Sequence, residues 1–238
     1  MDIPSLQVAR TLLAEAERLN PGPWVGHSVN VARAAQIIAL RCPALDADRA
    51  YILGLLHDIG RRVGKTGMRH VIDGYLYLQE LGYDGAARIC LTHSFPYQNP
   101  RAVFGEWDCS DREFQILSDT LLSITYDDYD LLLQLCDSLA LAEGFCLIEK
   151  RLVDVFMRYA QKGVDSSVHM KWQQVFNIQR HFEQIINCSI YDLLPGVIET
   201  TFSHMQLSPT SNYQPQRHED IEGHQDFFVN LCVSVPLR

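Results

Sequence analysis

The segment GLLHDIGRR places an adjacent His57-Asp58 pair at the end of an apolar stripe formed by Ile52, Leu53, Leu55 and Leu56. Successive side chains on a helix point about 100° apart, so both residues can serve one site only where the helix ends. Desolvating an imidazole and a carboxylate is costly, and ligation to a cation supplies the compensation. Asp137 poses the same problem in LLLQLCDSLALA, where it follows Leu131, Leu132 and Leu133 and precedes Leu139. A buried carboxylate there needs either an arginine partner or a metal. After the doublet comes a basic loop, RRVGKTGMR, in which Arg61, Arg62, Lys65 and Arg69 are suited to neutralising the oxygens of a phosphate. A solvated turn is the alternative reading of that loop.

The elements that must position these residues read as helices. Apolar residues recur at three and four positions nearly everywhere before residue 205, with helix punctuation between them. The spacing predicts an all-α fold with helices at about 5–19, 25–42, 46–60, 70–81, 84–93, 110–124 and 127–142. Asp46 is the expected N-cap of the third, and Gly60 its expected stop, where a missing Cβ lets the chain turn into the basic loop. Residues 94–109 hold Pro96, Pro100 and Gly105 and read as a long loop, while 148–205 stays helical. Trp172, Phe176 and Phe182 recur at helical spacing and read as core. The stretch 208–223 is polar and turn-rich, a tether, and DFFVNLCVSVP beyond it alternates like a strand. The division expected is 1–145 for the site-bearing helices, 146–205 for helices packed on them, and 206–238 for a tail.

Bulk composition narrows the functions available. At 238 residues, 47% hydrophobic and 21% charged, the chain has enough apolar residues for a substantial core without disulfide staples. A formal charge of -9 is the wrong sign for tracking long nucleic acid, although a local basic pocket or a cation still admits a small phosphorylated substrate. The seven cysteines include no C-x-x-C pair, which argues against a thiolate zinc site and suits a reducing cytoplasm. No segment has the length and apolarity of a membrane span or of a signal peptide's apolar region, so a cytoplasmic protein with no membrane partner is expected.

The stretch from Trp24 to Glu143 resembles the HD superfamily of metal-dependent phosphohydrolases, whose pattern is a histidine on an early helix, a His-Asp doublet and a distant aspartate on a later helix. His27 in WVGHSVNVARAAQIIA, His57 with Asp58, and Asp137 match that pattern. His70 in MRHVIDGYLYLQELG and His93 in ICLTHSF match the two further histidines of the two-metal branches. The resemblance implies that Asp58 bridges two divalent ions, with His27, His57 and Asp137 completing one coordination sphere and His70 and His93 the other. Taken singly, His27 or His93 would be read as a hydrogen-bonded core residue. Imidazole and carboxylate together suit iron, manganese, cobalt, nickel or zinc. Two such cations roughly 3.5 to 4 Å apart activate water and clamp a phosphoryl oxygen for in-line attack. The activity implied is hydrolysis of a nucleotide or other small phosphate ester, with Asp58 and Arg61 as the catalytic pair and Arg61, Lys65 and Arg69 on the substrate. An HD-type di-iron oxygenase shares this ligand set, and a non-catalytic metal-bearing regulatory module is a third class.

Overall fold

The computed structural model describes residues 2–160 and 166–203, and every regular element in them is helical. The expected tether and strand after residue 206 lie outside the described residues. Helix α1 (Leu6–Leu19) is capped by Ser5, whose Oγ accepts from Val8 N at 3.3 Å, and α2 (Pro23–Ala39) opens on proline, which has no N–H to leave unsatisfied. Helix α3 (Ala47–Leu56) starts at Asp46, whose Oδ1 accepts from Arg49 N at 2.8 Å. There follow α4 (Arg69–Glu80), α5 (Asp84–Thr92), α6 (Asp111–Ser123), α7 (Asp128–Asp137), α8 (Ile148–Tyr159) and α9 (Val168–Ile186), then the short α10 (Ile190–Leu193) and α11 (Val197–Phe202). Among these residues no helix is long and apolar enough to cross a membrane.

Two helices stop earlier than their apolar periodicity suggests, and both stops matter. Helix α3 ends at Leu56, not at Gly60, and His57 and Asp58 lie in the break before a 3-10 turn over Ile59–Val63. Helix α7 ends at Asp137, not near residue 142. The residues after it fold back as a narrow turn in which Cys146 N donates to Leu139 O at 2.9 Å and Leu141 N to Gly144 O at 2.8 Å. Gly60 is no helix cap either, since it is not among the positive-φ glycines. Its role is close approach: a Cβ there would lie 1.9 Å from His70 O and 2.5 Å from Gly74 N, so only glycine lets the turn rest on α4.

The main core draws on every helix from α1 to α11 except α6, whose Leu117 and Leu121 pack with Met68, Val71, Ile72, Leu91 and Phe95 in a second cluster. Helices α2 and α3 meet almost backbone to backbone, with the place of a Gly54 Cβ only 2.4 Å from Ala32 Cα. Val31, Ile38, Leu53, Leu56, Leu132 and Leu135 are buried with Ile148, Val175, Ile178 and Phe182, so α8 and α9 share the core of the earlier helices. Phe182 is core as expected, whereas Trp172 and Phe176 are only partly buried. Helix α5 is tied to α7 by Arg88, whose Nε donates to both oxygens of the fully buried Asp130 at 3.2 and 3.1 Å. Thr92 Oγ1 adds a bond of 2.7 Å to Asp130 Oδ1, and Asp127 N one of 2.9 Å to its Oδ2. A carboxylate this well paired is rigid, and it lies on the helix that ends in Asp137.

Gly60→Ala is expected to separate the 3-10 turn from α4 and to cost about 1–3 kcal/mol, the usual range for overpacking. Thermal unfolding checks this, with a fall of several degrees expected; an unchanged midpoint would show that the turn can yield at no cost.

Candidate metal centre

Five chain segments deliver six polar side chains to one place. His27 comes from α2, His57 and Asp58 from the break after α3, His70 from the first turn of α4, His93 from the residue closing α5, and Asp137 from the last position of α7. His57 is 1% exposed, Asp58 4%, His70 4% and His93 3%, inside a chain whose other buried residues are overwhelmingly apolar. The rings of His57 and His93 are 5.0 Å apart, those of His27 and His57 5.3 Å, and those of His70 and His93 5.7 Å. Donor atoms of His27, His57 and Asp58 all lie within 4.8 Å of one another, as do those of Asp58, His70 and His93. Asp58 belongs to both groups.

Backbone carbonyls fix the orientation of every one of these imidazoles. His27 Nδ1 is 3.1 Å from Ala140 O, His57 Nδ1 2.7 Å from Gly54 O, and His70 Nδ1 2.6 Å from Gly67 O. His93 Nδ1 lies 2.9 Å from Cys90 O and 3.1 Å from Ile89 O. A carbonyl oxygen only accepts, so Nδ1 must carry the proton in all four and each neutral ring keeps its lone pair on Nε2. Such a second contact is the usual partner of a metal-bound histidine. The early end of α7 contributes here, because Ala140 is then free to accept from His27. Asn30 holds the same turn by donating Nδ2 to Leu141 O at 2.9 Å and to Ala142 O at 3.1 Å.

The inward atoms fit cations better than they fit each other. His57 Nε2 and Asp58 Oδ1 are buried and make no hydrogen bond. His27 Nε2 lies 2.9 Å from Asp137 Oδ1, and Asp58 Oδ1 lies 3.3 Å from His70 Nε2 and 3.6 Å from His93 Nε2. Ligands at about 2.1 Å from one cation sit about 3 to 3.5 Å apart when their bonds open at right angles or tetrahedrally. Burial pushes the His70 pKa down to about 3 and, with nearby Arg61, keeps the ring neutral; burial and His57 push His93 down to about 4. His27 is lowered by burial and by Arg151. Burial would raise the Asp58 carboxyl, but Arg61 together with His70, His57 and His93 outweighs it and holds the group well below the usual carboxylate range. Asp137 is likewise held low against its burial, with Arg151 the cation beside it. Neutral imidazoles facing ionised carboxylates are the protonation state that binds a cation.

The family profile of the HD domain matches residues 24–142, half of the chain. The chain belongs to the HD domain family. No curated protein and no solved structure matches it at a significant level. The HD domain encloses all six converging side chains, and together with the two donor groups it makes the chain a metal-dependent hydrolase.

The basic loop of this HD domain divides its work. Arg61 touches the cluster, with Nε 2.5 Å from Asp58 Oδ2 and Nη2 3.4 Å from His70 Nε2, and Asn20 Nδ2 anchors its carbonyl at 2.7 Å. Arg62 stacks on Tyr77 at 4.1 Å, Lys65 is exposed, and Arg69 is held by Glu113 at 3.0 Å and Asp73 at 3.3 Å. Arg61 is therefore the loop cation at the site. His169 and His181 lie exposed on α9, as expected of histidines without a site context. One neighbour is invisible to sequence reasoning. Arg151, from α8 beyond the HD domain, places Nη2 3.5 Å from Asp137 Oδ1 and donates Nε to Asp137 O at 3.3 Å. Nothing local in IEKRLVDVF distinguishes it from a surface arginine.

The buried imidazoles of His27, His70 and His93 set a pH dependence for metal-free protein. Their folded pKa values lie below the ordinary 6.5, so unfolding takes up protons, and stability present above pH 6.5 is lost as pH falls towards 4 and 3. Thermal melts of chelator-treated protein are expected to fall steeply across that window, and less steeply in His70→Gln. A flat profile would show that the histidines are not held neutral.

Proposed function

We propose that the chain is a phosphohydrolase of a nucleotide or other small phosphate ester that works with two divalent cations sharing Asp58. The observation that carries this reading is the shared carboxylate: Asp58 belongs to both donor groups, and its Oδ1 is buried without a hydrogen bond. His27, His57 and Asp137 would hold one cation with Asp58, and His70 and His93 the other. The donor set of nitrogen and oxygen suits iron, manganese, cobalt, nickel or zinc. When bound, such ions lower the pKa of water and polarise a phosphoryl oxygen.

The protein's own groups supply position and charge. Carbonyls of Gly54, Gly67, Cys90 and Ala140 hold the four rings so that no reorganisation is needed when charge develops. Arg61 lies at the edge of the cluster, where its guanidinium can exchange Asp58 for a phosphoryl oxygen of the substrate. Burial of the donors keeps bulk water from screening these interactions. Lys65 remains available from the solvent side, while Arg69, tied to two carboxylates, supports the fold of α4 against α6.

Metal content per chain tests the two-ion arrangement. Loaded wild type is expected to hold about two ions, His70→Ala or His93→Ala about one, and Asp58→Ala almost none, because a borderline cation that loses one of few protein ligands binds much more weakly. A single ion in wild type, unchanged by either histidine substitution, would sink the two-ion reading. A panel of phosphorylated metabolites, offered to the manganese-, iron- and cobalt-loaded protein, is expected to release phosphate from at least one ester. Oxygen uptake by the iron form without phosphate release would instead favour the oxygenase.

Arg61→Ala is expected to keep both ions and to raise KM for that ester about tenfold or more, the loss associated with one charged hydrogen bond. Unchanged kinetics would move the phosphate contact away from Arg61.

A further inference from the structure

We propose that Asp108 is a positioning residue of the metal centre: by clasping the backbone at the start of α4 it fixes the carbonyl that orients His70. The inference rests on the two-ion reading, with His70 and His93 as ligands of one cation, and adds the residue that holds His70 ready.

Helix α4 begins without help from its own side chains. Its N-cap, Met68, makes no side-chain bond to the helix, and the first turn holds no acidic residue. The capping group comes from the far end of the 94–109 loop. Asp108 accepts from Gly67 N at 2.7 Å through Oδ2 and from Arg69 N at 2.8 Å through Oδ1. Between them Met68 N donates to Glu106 O at 2.8 Å, so residues 106–108 bind three successive N–H groups. A carboxylate at a helix start makes charge-assisted bonds of the sign the helix dipole favours. The approach is close, since a Cβ on Gly67 would lie 2.5 Å from Glu106 O and 3.1 Å from Asp108 Oδ1.

The clasp reaches the centre in one further step. Gly67 O is the acceptor for His70 Nδ1, at 2.6 Å. A peptide unit is planar, so the unit that aims Met68 N–H at Glu106 also aims Gly67 O at His70. Asp108 pins the peptide units on both sides of it, at a glycine whose backbone is otherwise the freest to swing. His70 Nε2 then faces Asp58 Oδ1, 3.3 Å away. The loop that supplies the clasp starts from His93, the other histidine of the same donor group. The carbonyls that orient His27 and His57 belong to Ala140 and Gly54, elsewhere in the fold. Loss of the clasp should therefore weaken one cation and spare the other.

Two measurements on the full chain test this, the first without metal. In chelator-treated protein carrying isotope-labelled histidine, long-range proton–nitrogen spectra report which ring nitrogen bears the proton, and His70→Gln identifies the His70 signals. Wild type is expected to hold the His70 proton on Nδ1, and Asp108→Ala to show a mixture of the two tautomers with the His27 and His57 rings unchanged. Manganese is then titrated calorimetrically into the same proteins. Asp108→Ala is expected to raise the Kd of one ion about tenfold, the lower end of the loss when a ligating histidine's outer partner is disturbed, and to leave the other ion as in wild type. Asp108→Asn keeps one oxygen able to accept; it is expected to fall between the two on both readouts, and it carries the test if the alanine variant does not fold. An unchanged His70 tautomer would overturn the proposal, as would, in a wild type that binds two ions, unchanged manganese affinity or equal weakening of both. Failure of the two-ion reading looks different: one ion in wild type, indifferent to His70→Ala, with the His70 tautomer still governed by Asp108, removes that reading and leaves the positioning role standing.

Discussion

The metal centre is built on four imidazole N–H groups bound to backbone carbonyls. Because Gly54, Gly67, Cys90 and Ala140 take the Nδ1 protons, the Nε2 lone pairs of His57, His70, His93 and His27 turn towards Asp58 and Asp137. Without cations that inward set is a poor arrangement, with lone pairs opposed to carboxylate oxygens in a buried space. The fold tolerates it because neighbouring interactions hold it open. Gly60 seats the 3-10 turn on α4, Gly54 seats α3 on α2, and the Arg88–Asp130 pair fixes α5 against α7. Sites held ready in this way carry their cost in the unliganded protein and recover it on binding.

Much of the site was legible in the sequence because its chemistry is unusual for its surroundings. A His-Asp doublet closing the Ile52–Leu56 stripe and an aspartate among leucines both demand compensation, and the resemblance to HD phosphohydrolases supplied the other three histidines. The helical fold was legible from apolar spacing alone. Helix ends were not, and the reason is physical: periodicity reports which face is buried but not which carbonyls are released to a side chain. The spacing of LLHDIG and CDSLALA continues past Leu56 and Asp137, while the carbonyls that orient His57 and His27 require departures from the helix there. Gly60 was misread for a related reason, since a glycine needed for close approach and one needed for a turn look alike in sequence.

The charges around the centre show the same limit. Arg61, Lys65 and Arg69 are alike in the loop, yet only the fold brings Glu113 from α6 to engage Arg69 and leaves Arg61 on Asp58. The buried Asp-Arg pair anticipated as an alternative for Asp137 exists in full at Asp130 and Arg88. Asp137 does have an arginine, Arg151, but shares it with Asp154 and also meets His27. Its carboxylate therefore shares one cation, where that of Asp130 has an arginine of its own. The helices beyond the HD domain thus share its core and also shape the electrostatics at one edge of its centre.

In the proposed two-ion centre Asp58 would be shared by two cations, with His27, His57 and Asp137 on one side and His70 and His93 on the other. Anomalous diffraction from crystals of the manganese- or iron-loaded protein, recorded on both sides of the metal's absorption edge, tests this arrangement. Two anomalous peaks are expected beside Asp58, roughly 3.5 to 4 Å apart as in two-metal hydrolases generally, with the ring nitrogens Nε2 as the nearest histidine atoms. A single peak that leaves His70 and His93 without a metal, or peaks that approach Nδ1 instead, would contradict it.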